Sequence, residues 1–343
     1  MNKGIVVAGS IILDKHFFID TYPQEGCLVQ VRDTSQCVGG AGNLILDLAM
    51  LDASLPVKVC AVIGKGSNGR SLRAKLKEYE NIDLTNLVEE GNTPITLVMD
   101  SLDSKQRTFF FFPGSCDFFD ESYINWDTVQ GEVFQLEYLL LMKKVDGIDA
   151  EYGTHGARIL AEAKKRGMKT SIDMVSEKSK RVSPIVSAAL RYTDYCTINE
   201  IEAEAVSELP LTDKEGKVQE DMIPQVLMKL CSFGVSTWII IHSAKCCYGY
   251  DCRKKSFFKA LSLQLPPSYI KGTTGAGDAF CSGVLYTIYN GGSIFEAMQL
   301  GNACAACSLS CAGGSEGMRS YQEVRKVFEQ YKGDSRYEEI GNQ

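Results

Sequence analysis

The chain has 343 residues, of which 45% are hydrophobic and 23% charged, with a formal net charge of -7. That length supports one large α/β domain, or one such domain with a small appendage. The acidic balance argues against broad electrostatic capture of nucleic acid or an anionic membrane, yet leaves room for a local phosphate pocket.

Ile5-Val6-Val7-Ala8 reads as a strand close to the amino terminus, with no basic segment, apolar core and cleavage site of a leader before it. No apolar stretch reaches the roughly 18 residues of a membrane span, so the expected address is the cytoplasm. Ile12 to Asp20, Leu28 to Gln36, Ile95 to Met99 and Arg107 to Phe112 read as extended, with Asp100 to Ser104 a hairpin connection. A helix from Asn43 to Leu51 and a strand from Val57 to Ile63 interrupt them. These segments predict a small β-sheet lid over 13–37 and 93–117, on a main domain of 1–12, 38–92 and 118–335, with 336–343 as a tail. Phe109 to Phe112 predict a strand buried on both faces, either in the core or, through the lid, against a second subunit in a homodimer.

From about residue 133 strands and helices alternate. Strands are expected at Tyr138 to Met142, Thr170 to Asp173, Tyr195 to Ile198 and Trp238 to Ile241. Helices are expected at Thr154 to Arg166, Ser183 to Arg191 and Met222 to Phe233. This order predicts an α/β fold with a mostly parallel sheet covered on both faces. Ser293-Ile294-Phe295-Glu296 and Ser320-Tyr321-Gln322-Glu323 fit capping boxes and predict helix starts.

Thirteen cysteines suggest a disulfide scaffold until their positions are read. Cys304, Cys307 and Cys311 lie among small apolar residues at helical spacing, and Cys60 and Cys281 in apolar runs, as buried thiols do. Cys246, Cys247 and Cys252 lack a repeated zinc spacing. His16, His155 and His242 have no clustered partners and are assigned no catalytic role.

The most informative stretch is Lys271-Gly272-Thr273-Thr274-Gly275-Ala276-Gly277-Asp278-Ala279-Phe280. Phe280, Val284, Leu285 and Ile288 follow at helical spacing, and Asn290-Gly291-Gly292 ends the pattern. A glycine-rich loop opening a helix offers free N–H groups and the positive end of the dipole to an anion. Asp278 would repel a bound phosphate, but makes sense as a base taking a hydroxyl proton while those N–H groups neutralise a moving phosphoryl group. The plainer alternative is an ordinary acid at a helix start. No GxxxxGK[ST] occurs, which argues against a P-loop enzyme.

Thr273-Thr274-Gly275-Ala276-Gly277-Asp278-Ala279-Phe280 resembles the second signature of the ribokinase-like (PfkB) carbohydrate kinases, and the likeness extends over almost the whole chain. Gly9 to Asp14 resembles the family's opening strand, whose aspartate holds substrate hydroxyls. Gly39-Gly40-Ala41-Gly42-Asn43 is similar to its first signature, where glycines admit the substrate and asparagine bonds it. Asn199-Glu200-Ile201-Glu202 resembles its Asn-x-x-Glu element, which organises Mg²⁺ and its waters. Asn302 sits where the family's adenine-side helix carries a nucleotide contact.

The resemblance implies a three-layer α/β/α sandwich with a small β-sheet lid, and ATP-dependent phosphorylation of a hydroxymethyl group on a sugar. It implies Asp278 as base with an anion hole at Gly275, Ala276 and Gly277, and a substrate held by Asp14, Gly39, Gly40 and Asn43. Nucleotide contacts are implied at Asn199, Glu202, Thr273, Gly275, Gly277 and Asn302, with Mg²⁺ reached from Glu202 through water. A nucleoside kinase of adenosine, inosine or pseudouridine type is the alternative, marked by base stacking near Phe17, Phe18 or Phe110; a noncatalytic sugar- or nucleotide-binding homologue is a further one. Gly272 replaces the family's usual aspartate, which argues against monovalent-cation activation. Ser243 and Cys246 replace two glycines near the nucleotide, Cys116 a common asparagine, and the first signature is one residue short.

Overall fold

Strands such as Ile5–Ala8 are apolar at every position because side chains on alternate sides both meet helices. In the computed structural model, which describes residues 3–333 and 338–340, Val6 and Ala8 pack with Phe134, Leu136, Ile172 and Ile239 on one face. Ile5 and Val7 pack with Val57, Val59, Leu44, Phe280 and Leu285 on the other. The helices His155–Lys165, Val182–Leu190, Glu200–Ser207 and Ile223–Ser232 cover the first face. Ala41–Leu51, Ala276–Tyr289 and Ile294–Ser308 cover the second.

The main sheet has ten strands. Trp238–His242, Tyr195–Asn199, Lys169–Met174, Val133–Leu139, Ile5–Ala8, Val57–Ile63 and Ile82–Glu89 run parallel in that spatial order. Cys246–Asp251, Ser256–Leu261 and Glu338–Ile340 add antiparallel strands beyond Trp238–His242. The expected parallel sheet is therefore present with an antiparallel edge. The stretch expected as a tail, 336–343, adds this edge strand, and its remaining positions lie outside the described residues.

A separate sheet carries Val31–Gly40, Ile11–Ile19, Ile95–Ser101 and Arg107–Phe112 in that order. Its strands match the four segments read as extended, although the second begins at Val31 rather than Leu28. Lys105, at φ 56, turns the connection between Ile95–Ser101 and Arg107–Phe112. Thr154 caps the helix after it by accepting from Ala157 N at 3.1 Å, and Glu296 and Glu323 each reach back to their N-cap serines as expected.

One expectation fails, and another keeps a single alternative. The strand expected at Tyr138 to Met142 runs instead over Val133–Leu139, because Gln135 and Glu137 lie fully buried inside it and interrupt the apolar signal. Phe109 to Phe112 are not buried by this chain's core: Phe109 is 59% and Phe110 50% exposed. Arg107–Phe112 is an edge strand with one face over a cavity and the other turned outward, so no layer of this chain covers it.

All thirteen cysteines are unpaired, with Cys60, Cys281 and Cys304 fully buried. Among the described residues no helix is long and apolar enough to cross a membrane.

Candidate active site

A cavity of about 450 Å³ opens at the carboxyl ends of the parallel strands, where ligands bind in open α/β sheets. Asp14, Gly40, Asn43, Asn199, Glu202, Gly275, Gly277 and Asp278 all line it. Residues separated by more than two hundred positions thus meet in one place. Gly39 flanks this group: a β-carbon there would lie 2.1 Å from Asp14 Oδ2, so glycine is what lets that carboxylate approach the backbone. Thr273 and Ala276 sit in the same loop as Gly275. Asn302 is placed elsewhere, donating its side-chain amide to the Leu261 carbonyl at 3.1 Å and tying its helix to the sheet edge.

Gly275 is the N-cap of Ala276–Tyr289 at φ 75, and no side chain caps this helix. A β-carbon there would meet the Gly314 carbonyl at 2.1 Å, so the loop closes only around glycine. The first-turn N–H groups lack intrahelical partners; that of Ala276 makes only a long 3.4 Å contact to the Thr273 carbonyl. Arg107, from the separate sheet, donates to Thr274 on this loop and pairs with Asp100, which also holds His16.

Asp278 stands in the first helical turn at 5% exposure. Its Oδ2 accepts from Asn43 Nδ2 at 2.9 Å and its Oδ1 from the Tyr138 hydroxyl at 2.7 Å. The short first signature therefore does not prevent Asn43 from reaching the site. Burial pushes the Asp278 carboxyl up to about 6, against the pull of those two donors. Glu137, Asp173 and Asp278 bring carboxylate oxygens within 4.8 Å of one another. Burial, then the charge of Asp278, lifts Glu137 to about 8, and burial with Glu137 raises Asp173 well above the usual range. Burial and mutual repulsion thus favour the protonated forms of Glu137 and Asp173.

Across the cavity, Asn199 Oδ1 accepts from the Ile201 and Glu202 amides at 2.9 Å. Glu202 Oε2 accepts from Asn199 N at 2.8 Å, and Oε1 from Ser176 at 2.6 Å and Asn199 Nδ2 at 2.7 Å. Both residues thus close a capping box on Glu200–Ser207, besides facing the cavity. A second cavity of about 260 Å³, lined by Glu200, Lys217, Ser243, Lys245 and Cys246, begins one residue beyond Asn199 and His242.

The first cavity also contains residues to which the sequence reading gave no site role: Tyr138, Asp173, Ser176, Phe109 and Phe111. Of the rings suggested for stacking, Phe17, Phe18 and Phe110 do not line it. His16 and His242 do line it; burial lowers His242 to about 4, so it is neutral, and it stacks on Phe280 with ring centroids 4.9 Å apart. The missed acids carried one signal, charged residues within apolar strands near their carboxyl ends.

Residues 2–320 match the family model described as pfkB family carbohydrate kinase. The chain is 24% identical to a ribokinase of Haemophilus influenzae, over 96% of this chain and 99% of that protein. Its fold matches that of Arabidopsis thaliana ribokinase complexed with ribose and ATP at a TM-score of 0.77 and 19% identity, covering 96% of this chain and 99% of that one. It also matches a Methanocaldococcus jannaschii nucleoside kinase at a TM-score of 0.70 and 16% identity, covering 96% and 100%. With a family match spanning nearly its whole length, the chain belongs to the pfkB family of carbohydrate kinases.

Proposed function

We propose that the protein is an ATP-dependent kinase that phosphorylates a hydroxymethyl group of a sugar, with Asp278 as general base. One observation carries the reading: a buried carboxylate stands at an uncapped helix N-terminus and faces the same cavity as Asp14, Gly40 and Asn43. The acceptor is held by Asp14, Gly39, Gly40 and Asn43. Asp278 takes the proton of its primary hydroxyl as the oxygen attacks in line, and the N–H groups at Gly275, Ala276 and Gly277 stabilise charge on the moving phosphoryl group. The separate sheet over 13–37 and 93–117 acts as a lid that excludes water, with Arg107 on Thr274 as its link to the phosphate loop.

The residues present fit a nucleotide and a hydrated divalent cation. Glycines leave the helix start open, Thr273 sits beside it, and the second cavity with Lys217 and Lys245 adjoins the first on the nucleoside side. Asn199 and Glu202 would hold Mg²⁺ through water, since each Glu202 oxygen already accepts from protein donors. Mg²⁺, when bound, neutralises phosphate charge. A β-carbon at Gly272 would lie 2.9 Å from Ala312 Cα, so the backbone occupies the space an aspartate side chain would need, which supports the absence of a monovalent-cation ligand there.

Asp14, Asp173, Glu202 and Asp278 line the acceptor cavity, and no described lysine or arginine does. This favours an uncharged acceptor over a phosphosugar or sugar acid. Phe109 and Phe111 on the cavity wall support a second reading, a nucleoside acceptor. Outward-facing Phe110 and Phe112 suit a homodimer through the lid, and thirteen unpaired thiols suit the cytoplasm.

ADP release measured across ribose, fructose, phosphosugars, adenosine, inosine and pseudouridine tests the reading. A neutral sugar should be consumed, and Asp278→Asn should lose about 100-fold or more in kcat. A silent panel would point to a noncatalytic binding protein; normal turnover by Asp278→Asn would remove Asp278 as the base.

A further inference from the structure

The strand Val133–Leu139 does not pair evenly to its end. Leu136 faces Ile172 and Leu139 faces Met174, so Glu137 and Tyr138 together oppose the single residue Asp173. A bulge of this kind re-aims a side chain. Tyr138 takes φ 62 and Leu140 φ 77, a region that a β-carbon disfavours and that persists only where the surroundings enforce it. Here they do. Asp146 Oδ1 accepts from Leu140 N at 2.8 Å, and Arg181 donates to the Leu140 carbonyl at 2.6 Å.

The outcome is chemical. Tyr138 donates its hydroxyl to Asp278 Oδ1 at 2.7 Å while Asn43 occupies Oδ2 at 2.9 Å. Both oxygens of the base are therefore engaged, one by a fixed amide and one by an O–H group of the kind an acceptor alcohol presents. An acceptor hydroxyl that approaches Oδ1 from the cavity competes with the phenol for that oxygen.

We propose that Tyr138 is a positioning residue that stands in for the acceptor: its hydroxyl keeps Asp278 Oδ1 aimed into the cavity until the acceptor hydroxyl replaces it. The proposal rests on the reading of Asp278 as general base. It deepens that reading by requiring an acceptor whose reacting group is a neutral hydroxyl able to compete with a phenol.

The titratable groups around Asp278 are Asp14, Asp47 on the helix Ala41–Leu51, Glu137, Asp173 and the buried thiol of Cys281, with Glu202 beyond them. Arg107 reaches Thr274 on the same loop, and neutral His242 lies beside Gly277. All are shared by the wild type and Tyr138→Phe, so a difference between the two isolates the phenol hydroxyl. That hydroxyl favours the charged carboxylate.

In Tyr138→Phe the acid limb of kcat/KM, which reports the free enzyme, should move up by roughly one pH unit. The acid limb of kcat, which reports the enzyme with acceptor bound, should stay in place, and the acceptor KM should fall several-fold. Equal movement of both limbs would mean that Tyr138 stays on Asp278 in the complex, and movement of neither would mean that it does not tune the base; each overturns the proposal. A second measurement needs no turnover: the Asp278 carboxyl titration, followed by ¹³C NMR and assigned with Asp278→Asn, should also move up in Tyr138→Phe. An unmoved titration overturns the role of Tyr138, whereas failure of every acceptor in the wild type overturns the kinase reading alone. Should Tyr138→Phe not fold, wild-type protein labelled at tyrosine Cζ serves instead. Adding acceptor should shift the Tyr138 resonance, and an unmoved resonance refutes the exchange.

Discussion

Two helix N-termini face the same cavity, and they are finished in opposite ways. Asn199 and Glu202 seal the start of Glu200–Ser207 with a reciprocal capping box, which Ser176 reinforces. Gly275 leaves the start of Ala276–Tyr289 without a side-chain cap, in a left-handed turn that closes against Gly314. A sealed terminus is rigid and spends its donors internally; an open one keeps them for a ligand. On the proposed reading the anion lies at the Gly275 end and a hydrated cation at the Asn199 end.

The largest test breaks the open terminus. Gly275→Ala puts a β-carbon where it would meet the Gly314 carbonyl at 2.1 Å. Backbone strain of about 1–3 kcal/mol is expected on folding, with turnover falling about 100-fold as the donors lose their aim. Retained turnover would mean that the loop is not the anion site. The pH profile comes next. Burial raises Asp278 to about 6, and a base works only when deprotonated, so kcat/KM should fall about tenfold per unit below pH 6 and level off above it. A limb near the ordinary aspartate range would mean that the site is wetter than this geometry.

At the sealed terminus effects should be smaller. Glu202→Gln removes one of the acceptors used by Asn199 and Ser176, and the Mg²⁺ concentration for half-maximal rate should rise about tenfold. An unchanged Mg²⁺ dependence would reduce Glu202 to a cap. Ser176→Ala should cost about 1 kcal/mol in denaturant unfolding and leave the acid limb of kcat/KM in place. Movement of that limb would show the two termini to be electrostatically linked.

Much of this was legible beforehand because the relevant signals are local. The Gly275 loop, Asn43, and the capping boxes at Ser293 and Ser320 are short patterns with fixed spacing, and each reappears where its spacing placed it. Asn199 and Glu202 fit the same capping pattern, yet were read only for their chemistry. The aim of Tyr138 was beyond reach, because a bulge depends on the partner strand, and Glu137 offered only the faint signal of a charge inside an apolar strand. The phenylalanine run left two readings open for the complementary reason: an apolar run signals a demand for cover without naming what supplies it.

The thiol distribution also gives this protein a built-in reporter. Of its thirteen cysteines Cys27 is the single exposed one among the described residues, and it lies on the connection between Ile11–Ile19 and Val31–Gly40. A maleimide fluorophore would therefore attach first beside the small sheet, on none of the residues that hold Asp278, and its anisotropy would show whether that sheet moves as acceptor and nucleotide are added.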